Sequence, residues 1–327
     1  MKTFNVRNVN GALSVGLNYL MLHGTREQSR NGPVLSSQVP VTTVYAAPWE
    51  RVLFAPERDA NPFFHYAESM WILAGRNDAA FPGYFAGQIK EYAEPDGTLR
   101  GAYGQRWRSW WRFDQLELII KQLRADPTTR RCVLSMWDAG HDLFSGGQKD
   151  IPCNTHCYFR ALDGELQMLV SCRSNDAVWG AHGANSVHFS FLHEYVARSA
   201  GLTQGAMTQM SFNYHVYPER PDVARLLQHG ISLPPHNYHS CAPYDLFNDK
   251  TTFDAELLTY FDHYDNSTDE QFEVAYTEPA VANLALMEAA YRAHKDERTE
   301  EAMTITDRIT FEDWRLGCGM WLERRVK

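Results

Sequence analysis

Cys153 is the side chain in this sequence whose setting best suits a nucleophile. It follows Pro152, which removes a backbone donor and stiffens the chain, and it precedes a strand-like run. A cysteine attacks as the thiolate, and a reference pKa of about 8.5 leaves only a few per cent of the thiol ionised at neutral pH. A nearby positive charge would increase that fraction. Most isolated cysteines are small, buried apolar residues, so the residue type alone does not assign catalysis.

Several arginines lie at predicted turns or strand ends. A guanidinium group in such a place can bind a dianionic phosphate through two parallel hydrogen bonds. The arginines are Arg30 in a polar loop over 25–33, the adjacent pair Arg130 and Arg131 before a strand-like run, and Arg173. A cysteine together with several arginines suggests a phosphorylated substrate.

Glu68 is the only carboxylate in a largely apolar helix predicted over 62–74, which Gly75 would end. Such an acid either faces solvent on a narrow polar stripe or points into a pocket. The residue pattern leaves both readings open.

Other site chemistries fit the sequence less well. Cys153, His156 and Cys157 do not suit a metal, because His156 and Cys157 point to opposite faces of a strand and no second cysteine pair supplies further ligands. We therefore expect no metal site. The sequence has no nucleophile elbow, dinucleotide fingerprint or phosphate loop. A cysteine hydrolase is a weaker reading, since no histidine is tied to Cys153 by sequence.

A β-hairpin is predicted to position the candidate nucleophile. Residues 155–162 and 165–172 read as strands, and they flank Asp163-Gly164, a pair suited to a type I′ turn. Cys153 precedes the first strand and Arg173 follows the second. The two residues should therefore be neighbours in space, so that Arg173 can favour the thiolate.

The composition describes a globular chain. Its 327 residues are 44% hydrophobic, enough for a sizeable core, and a formal net charge of −9 argues against stable nucleic-acid binding. The six cysteines lack disulfide spacing and no run approaches a membrane span, so we expect a cytoplasmic protein. Strands and helices mix without a regular βαβ alternation or a linker, which favours one α+β domain over 1–327.

The sequence resembles the thymidylate synthase family, which includes the pyrimidine nucleotide hydroxymethylases often found in bacteriophages. About two thirds of the chain carries the resemblance in the family's order, through the Arg30 loop, Glu68-Ser69-Met70-Trp71, 103–108, Arg130-Arg131, Pro152-Cys153, 173–176, Asn185 and 215–217. The resemblance implies a thymidylate synthase-like α+β fold, with a mixed β-sheet that forms a homodimer interface and is flanked by helices.

The resemblance also implies a mechanism and a nucleotide site. Cys153 would add to C6 of a pyrimidine nucleoside monophosphate, and C5 would then attack the one-carbon unit of 5,10-methylenetetrahydrofolate. The matching substrate residues are Arg30, Arg173 and Ser174 for the phosphate, Arg130 and Arg131 for the same phosphate from the second subunit, His215 and Tyr217 for the sugar hydroxyl, and Asn185 for the base.

The remaining matched residues concern proton transfer and folate. Glu68 matches the carboxylate that organises water and relays protons, and Tyr103 matches a tyrosine near the nucleophile. Asp176 and Gly180 match the side that faces folate. The run 180–185 holds one residue more than the usual spacing before Asn185.

Three departures bear on the reaction. Asn154 follows the nucleophile where a histidine or similar residue is common. Ile89 stands where synthases carry a folate-stacking tryptophan, and the carboxyl end 319–327 differs from their short apolar tail. A methyl product requires hydride to reach the exocyclic methylene before water does, in a closed and dry site. The last two departures therefore favour a hydroxymethyl product.

We expect hydroxymethylation of dUMP, because the amide of Asn185 can offer a donor and an acceptor to uracil. The alternatives are dTMP synthesis by reductive methylation of dUMP, and hydroxymethylation or methylation of dCMP. A further alternative from another class is an idle homologue that only binds a nucleotide or RNA.

Overall fold

The computed structural model describes residues 1–144, 146–147, 149–231, 238, 241, 244–266 and 275–326. Lys327, the last residue of the carboxyl-end segment considered above, lies outside the described residues. The strands are β1 (Lys2–Val6), β2 (Thr25–Ser29), β3 (Gly32–Ser36), β4 (Val41–Tyr45), β5 (Val133–Ser135), β6 (Asn154–Leu162), β7 (Glu165–Asp176) and β8 (Thr203–Val216).

The described strands form one mixed sheet. Its order is β1-β4-β8-β7-β6-β5, with β3 paired to both β2 and β8. The β6–β7 pair is antiparallel, whereas the β7–β8 pair is parallel. A parallel pair needs a crossover, and here a long helix after β7 supplies it. The α+β fold predicted from the sequence is confirmed.

Helices flank this sheet. They are α1 (Val9–His23), α2 (Pro62–Leu73), α3 (Ala80–Phe85), α4 (Tyr103–Arg108), α5 (Gln115–Ala125), α6 (Ala139–Asp142), α7 (Asn185–Ala200), α8 (Pro221–His229), α9 (Lys250–Asn266), α10 (Pro279–Lys295), α11 (Thr299–Thr306) and α12 (Glu312–Glu323), with a 3₁₀ helix at Gly87–Tyr92 and a π-helix at Ala177–Ala184.

Two of these helices carry the site and are almost wholly buried. In α2 the Asn61 side chain accepts a hydrogen bond from the Phe64 N–H, Pro62 opens the first turn and Gly75 follows the last with φ +77°. In α7 nearly every side chain is buried, and Gly201 ends the helix in the left-handed region. Both helices lie where the sequence predicts them: α2 over 62–74, and α7 over 185–200 from the apolar spacing of Phe189, Leu192, Tyr195 and Val196 with Gly201 at the end.

The central hairpin has the predicted turn. Asp163 and Gly164 have φ values of 52° and 82°, as a type I′ turn requires, and they join β6 to β7. Asn154 pairs with Cys172 at the opposite, open end of the hairpin. Cys153 and Arg173 are therefore brought side by side at the sheet edge where the strands end.

A second hairpin lies where the sequence predicted a polar loop. The predicted polar loop over 25–33 is wrong, because Thr25–Ser29 pairs with Gly32–Ser36 and only Arg30 and Asn31 form the turn. The strand escaped notice because its side chains are polar and mostly exposed, without the alternation that marks a half-buried strand. Arg30 still lies at the tip.

No helix among the described residues is long and apolar enough to cross a membrane.

Candidate active site

A cavity of about 210 Å³ opens beside Cys153. The open end of the hairpin contributes Cys153 to its lining, α2 contributes Glu68, and the beginning of α7 contributes Asn185. Ile89 from the 3₁₀ helix and Tyr103 from α4 complete this part of the wall. The structure thus brings together five predicted site residues that span more than a hundred positions of sequence.

Arg173 holds the segment that carries the nucleophile. Its Nε donates to the carbonyl of Pro152 at 2.9 Å, its backbone N–H donates to the carbonyl of Cys153 at 2.9 Å, and its Nη2 lies 3.9 Å from the Cys153 Sγ. The predicted proximity of Cys153 and Arg173 is confirmed.

The ionisation of Cys153 departs from the expectation. Burial raises the pKa of the Cys153 thiol, the charge of Arg173 lowers it, Asp150 raises it and Arg30 lowers it, so that the net direction is upward. The arginine thus offsets desolvation without overcoming it. The thiol is therefore the favoured form at neutral pH.

Asn154, whose role the sequence left unexplained, positions Tyr103. Its backbone N–H and its side-chain Nδ2 both donate to the Tyr103 hydroxyl, at 3.1 and 2.8 Å. Asn154 is fully buried. Burial raises the pKa of Tyr103 well above its usual range, and the nearby cysteine Cys153 adds to this shift. The phenol therefore stays protonated, and neither contact uses its proton.

Glu68 faces the cavity rather than solvent. Its Oε2 lies 3.0 Å from the Nε2 of His188, which is one turn into α7 and also lines the cavity. The two atoms meet the distance of an ion pair but not the angles of a hydrogen bond. The pocket reading of Glu68 is confirmed, and His188 is a cavity-lining residue that was not predicted from the sequence.

The π-helix accommodates the extra residue before Asn185. A π-helix adds one residue per turn relative to an α-helix, and the backbone breaks from helical geometry at His182 and Gly183 before α7 begins. Asn185 consequently enters the cavity despite the longer spacing. Its Nδ2 donates to the Oδ1 of Asn175 at 3.1 Å, and the Asn175 Nδ2 donates to the Ser211 hydroxyl at 2.9 Å.

Gly180 makes room for this amide pair. A Cβ at Gly180 would lie 2.6 Å from the Asn175 Oδ1 and 3.1 Å from the Asn185 Nδ2. Gly180 does not line the cavity around Cys153. Its visible role in the structure is thus to let the Asn175–Asn185 contact form.

Asp176 ends β7 and caps the π-helix. Its Oδ1 accepts hydrogen bonds from the N–H groups of Val178 and Trp179, both at 2.7 Å. Burial raises the pKa of Asp176, against these N–H donors and the neighbouring His215. His215 is its register partner on β8, and the His215 and Tyr217 rings lie 5.3 Å apart.

The remaining phosphate candidates are not all together. Ser174 lies next to Arg173 in β7, and Arg30 is exposed at the tip of its hairpin, close enough for its charge to favour the Cys153 thiolate. Arg130 and Arg131 are exposed and line a separate surface depression with Asp126. Within one chain, they do not reach the Cys153 cavity.

The sequence analysis also missed Asp150. This carboxylate lies three residues before Cys153 and lines the same cavity, where its Oδ2 accepts a hydrogen bond from the Gly101 N–H at 2.8 Å. Only its closeness to Cys153 in the sequence could have drawn attention to it. Among the described residues, no group of three or more His, Cys, Asp or Glu side chains is arranged to hold a metal ion.

The mixed sheet, and a cysteine at the open end of its central hairpin, agree with the one-carbon transferase that the resemblance predicted. A family model for thymidylate synthase matches residues 18–269. The chain belongs to the thymidylate synthase family. Enzymes of this family transfer one-carbon groups and use methylenetetrahydrofolate. The predicted family and enzyme class are confirmed.

Three relatives illustrate where the chain lies within the family. It is 43% identical to a deoxyuridylate hydroxymethyltransferase of Pseudomonas phage M6, over 99% of this chain and 95% of that one. It is 35% identical to a deoxyuridylate hydroxymethyltransferase of Bacillus phage SP01, over 54% of this chain and 49% of the relative. A putative thymidylate synthase of Methanosarcina acetivorans is 27% identical over 71% of this chain and 96% of its own length.

Proposed function

We propose that this protein transfers a one-carbon unit from 5,10-methylenetetrahydrofolate to C5 of dUMP and releases 5-hydroxymethyl-dUMP. The observation that carries the proposal is the lining of the Cys153 cavity, to which Ile89 and the carboxylate of Asp150 both contribute. A wall with an aliphatic residue and a carboxylate favours water over hydride at the exocyclic carbon. The relative of Pseudomonas phage M6, similar over nearly its whole length, is named for this reaction.

The first half of the reaction falls to Cys153. Its thiolate adds to C6 of the pyrimidine, which makes C5 an enolate-like carbon able to attack the one-carbon unit. The thiol proton must leave as the nucleotide binds, and the phosphate-binding arginines Arg173 and Arg30 both favour the thiolate. Tyr103, held by Asn154, and Glu68, beside His188, are the proton-transfer groups that border the base.

Asn185 is the proposed base-reading residue. One hydrogen of its Nδ2 is donated to Asn175, which leaves its Oδ1 as an acceptor and its second N–H as a donor. Uracil presents the complementary pair, a donor at N3 and an acceptor at O4. The anchored amide therefore suits uracil, whereas the cytosine edge would need the Asn175–Asn185 pair to reverse.

The phosphate and sugar would extend from this cavity along the sheet edge. We assign the phosphate to Arg30, Arg173 and Ser174, and the sugar hydroxyl to His215 and Tyr217. Arg173 and Ser174 lie on β7, Arg30 lies at the β2–β3 turn, and His215 lies on β8 with Tyr217 directly after that strand. The charges of Arg30 and Arg173 suit a dianion.

A homodimer would complete the phosphate site. Tyr158, Leu169 and Thr208 lie side by side across β6, β7 and β8, and all three are at least partly exposed on the open sheet face. A broad, partly apolar sheet face of this kind suits a two-fold interface. Arg130 and Arg131, exposed and outside their own cavity, would then serve the phosphate of the partner subunit.

The folate would lie against the apolar part of the cavity. Trp71, Ile72, Ile89 and Leu99 line it, and together they suit one face of a flat ring system. When bound, methylenetetrahydrofolate supplies the electrophilic carbon. We also assign to the folate Asp176, at the end of β7, and Gly180, in the π-helix that follows it.

Product mass decides between this function and its rivals. The protein is incubated with methylenetetrahydrofolate and an equal mixture of dUMP and dCMP, with a reaction lacking folate as the control. We expect dUMP to gain a hydroxymethyl group. A methylated dUMP with dihydrofolate would instead assign dTMP synthesis, and a modified dCMP would assign the cytosine reaction. No product from either nucleotide, with binding retained, would favour the idle homologue.

A further inference from the structure

Asp150 is fixed over the cavity by the backbone of Gly101. Its Oδ2 accepts the Gly101 N–H at 2.8 Å, and a Cβ at Gly101 would lie 2.8 Å from the Asp150 Oδ1 and 2.9 Å from the Oδ2. A side chain at Gly101 would therefore displace the Asp150 carboxylate from this position. One oxygen is anchored, and the cavity lined by Cys153, Glu68 and Ile89 lies beside the group.

The position of Asp150 is unfavourable for the first half of the reaction. Its negative charge raises the pKa of the Cys153 thiol, whereas the two arginines lower it. A group that served only to ionise the nucleophile would carry no negative charge here. We therefore expect Asp150 to act in a step that follows the attack of the cysteine.

The surroundings of Asp150 raise the pKa of its carboxyl group. Burial raises the pKa of Asp150, the Gly101 N–H and Arg106 lower it, and the charges of Glu94 and Glu68 raise it, with a net upward shift. A carboxylate whose pKa is raised is a stronger base toward a water proton.

We propose that Asp150 is the general base that activates the water captured by the exocyclic methylene, a role that rests on the hydroxymethylation proposed above. The water oxygen forms a bond to the methylene carbon, one water proton passes to the carboxylate, and the electron pair of the exocyclic double bond moves to O4 as an enolate. The enolate re-forms the C5–C6 double bond and expels the Cys153 thiolate. Asp150 then loses its proton to solvent, and no oxidant or reductant is needed.

Glu68 is less suited to this step. Its Oε2 lies 3.0 Å from His188 on α7, whereas Asp150 is on the segment that leads directly into Cys153. The carbon that water must reach is attached to the ring that Cys153 holds. A general base three residues from the nucleophile, in the same cavity, can reach that carbon while Glu68 transfers protons around the pyrimidine.

The Asp150→Asn variant tests this role, because formation of the methylene and its capture by water can be measured separately. The amide oxygen can still accept the Gly101 N–H, but it cannot take a proton from water. With C5-tritiated dUMP, tritium release reports formation of the methylene, and 5-hydroxymethyl-dUMP reports its capture. We expect tritium release within a few-fold of wild type, and hydroxymethyl formation reduced about 10²-fold or more. An added small thiol, which needs no base, should then trap the methylene as a thioether.

Two further variants sharpen the outcome. Asp150→Ala should show the same defect, and added formate should restore hydroxymethyl formation in it. Glu91→Gln removes an exposed acid of the 3₁₀ helix that does not line the cavity, and it should keep the wild-type ratio of hydroxymethyl product to tritium release. These variants control for folding and for a general change of charge.

Three results would overturn the role of Asp150. Hydroxymethyl formation could be unchanged in Asp150→Asn, it could fall in step with tritium release, or thiol could fail to trap the methylene. The wild-type reaction tests the proposed function separately. If the wild-type protein forms a methyl group and dihydrofolate, the hydroxymethylase proposal fails, and the proposed role of Asp150 fails with it.

Discussion

The two sides of the Cys153 cavity are built from different kinds of structure. On the nucleotide side, β6, β7 and the start of α7 fix Cys153, Arg173 and Asn185 through strand register and a buried helix. The irregular side of the lining consists of two other segments. Ile89 lies in a short 3₁₀ helix, and Asp150 lies in the loop that leads into β6.

This difference separates two chemical tasks. In the proposed mechanism the nucleotide side carries the groups that make C5 a nucleophile, and regular elements hold them. In the same proposal Ile89 and Asp150 act on the carbon that is being transferred, and their irregular segments can change side chains without disturbing the sheet. We infer that the first side defines the family reaction and that the second decides whether water or hydride completes it.

Removing the nucleophile should have the largest effect on the nucleotide side. Cys153→Ala is expected to lower turnover by about 10⁴-fold or more, since no other group can bond to C6. The affinity for dUMP, measured by calorimetry, should change little. Cys132→Ala, which alters a buried cysteine outside the cavity, is the matched control. Substantial turnover in Cys153→Ala would refute the covalent mechanism.

Glu68 tests proton transfer around the base. Glu68→Gln keeps the size of the side chain but removes the carboxylate that contacts His188 and can carry a proton, so kcat should fall by about 10²- to 10⁴-fold. Glu91→Gln, on an exposed residue of the 3₁₀ helix, should retain activity. Steady-state rates with dUMP measure both, and equal rates for the two variants would remove Glu68 from the mechanism.

Asn185 tests base recognition. Asn185→Asp is expected to shift the ratio of kcat/KM toward dCMP by about 10- to 100-fold, because a carboxylate accepts from the cytosine amino group. The Asn175 amide can turn to donate to the new carboxylate, since the Ser211 hydroxyl can either donate or accept. A ratio that does not move would mean that another residue reads the base.

The smallest effect is expected on the ionisation of Cys153, which Asp150 and Arg173 influence in opposite directions. Asp150 raises the pKa of Cys153 and Arg173 lowers it, so at neutral pH Asp150→Asn should increase the thiolate fraction and Arg173→Gln should decrease it. The alkylation rate of Cys153 by iodoacetamide should change by about two- to tenfold in these opposite directions. The rate in the wild-type protein should still be rising above pH 8.5. Changes of the same sign in both variants would show that their charges do not control the thiol.

The regular side of the cavity was the part that the sequence could predict. Asp163-Gly164 gave the hairpin and therefore the Cys153–Arg173 contact, and apolar periodicity gave α2 and α7. These features follow from local rules of turn and helix formation.

The contacts on the irregular side of the cavity could not be predicted from the sequence. Asp150 enters the cavity through a single backbone contact with Gly101, forty-nine residues away, and His188 meets Glu68 only after α2 and α7 pack. The upward pKa shift of Cys153 also depends on burial, which the sequence does not state. Long-range packing and desolvation set these properties, and neither leaves a local pattern.

The source of the product oxygen shows directly whether water or hydride completes the reaction. The protein is incubated with dUMP and methylenetetrahydrofolate in water enriched in oxygen-18, and both the nucleotide and the folate are analysed by mass spectrometry. The account predicts a hydroxymethyl group that carries the heavy oxygen, with one tetrahydrofolate formed for each product molecule. An unlabelled methyl group with one dihydrofolate for each product would contradict it.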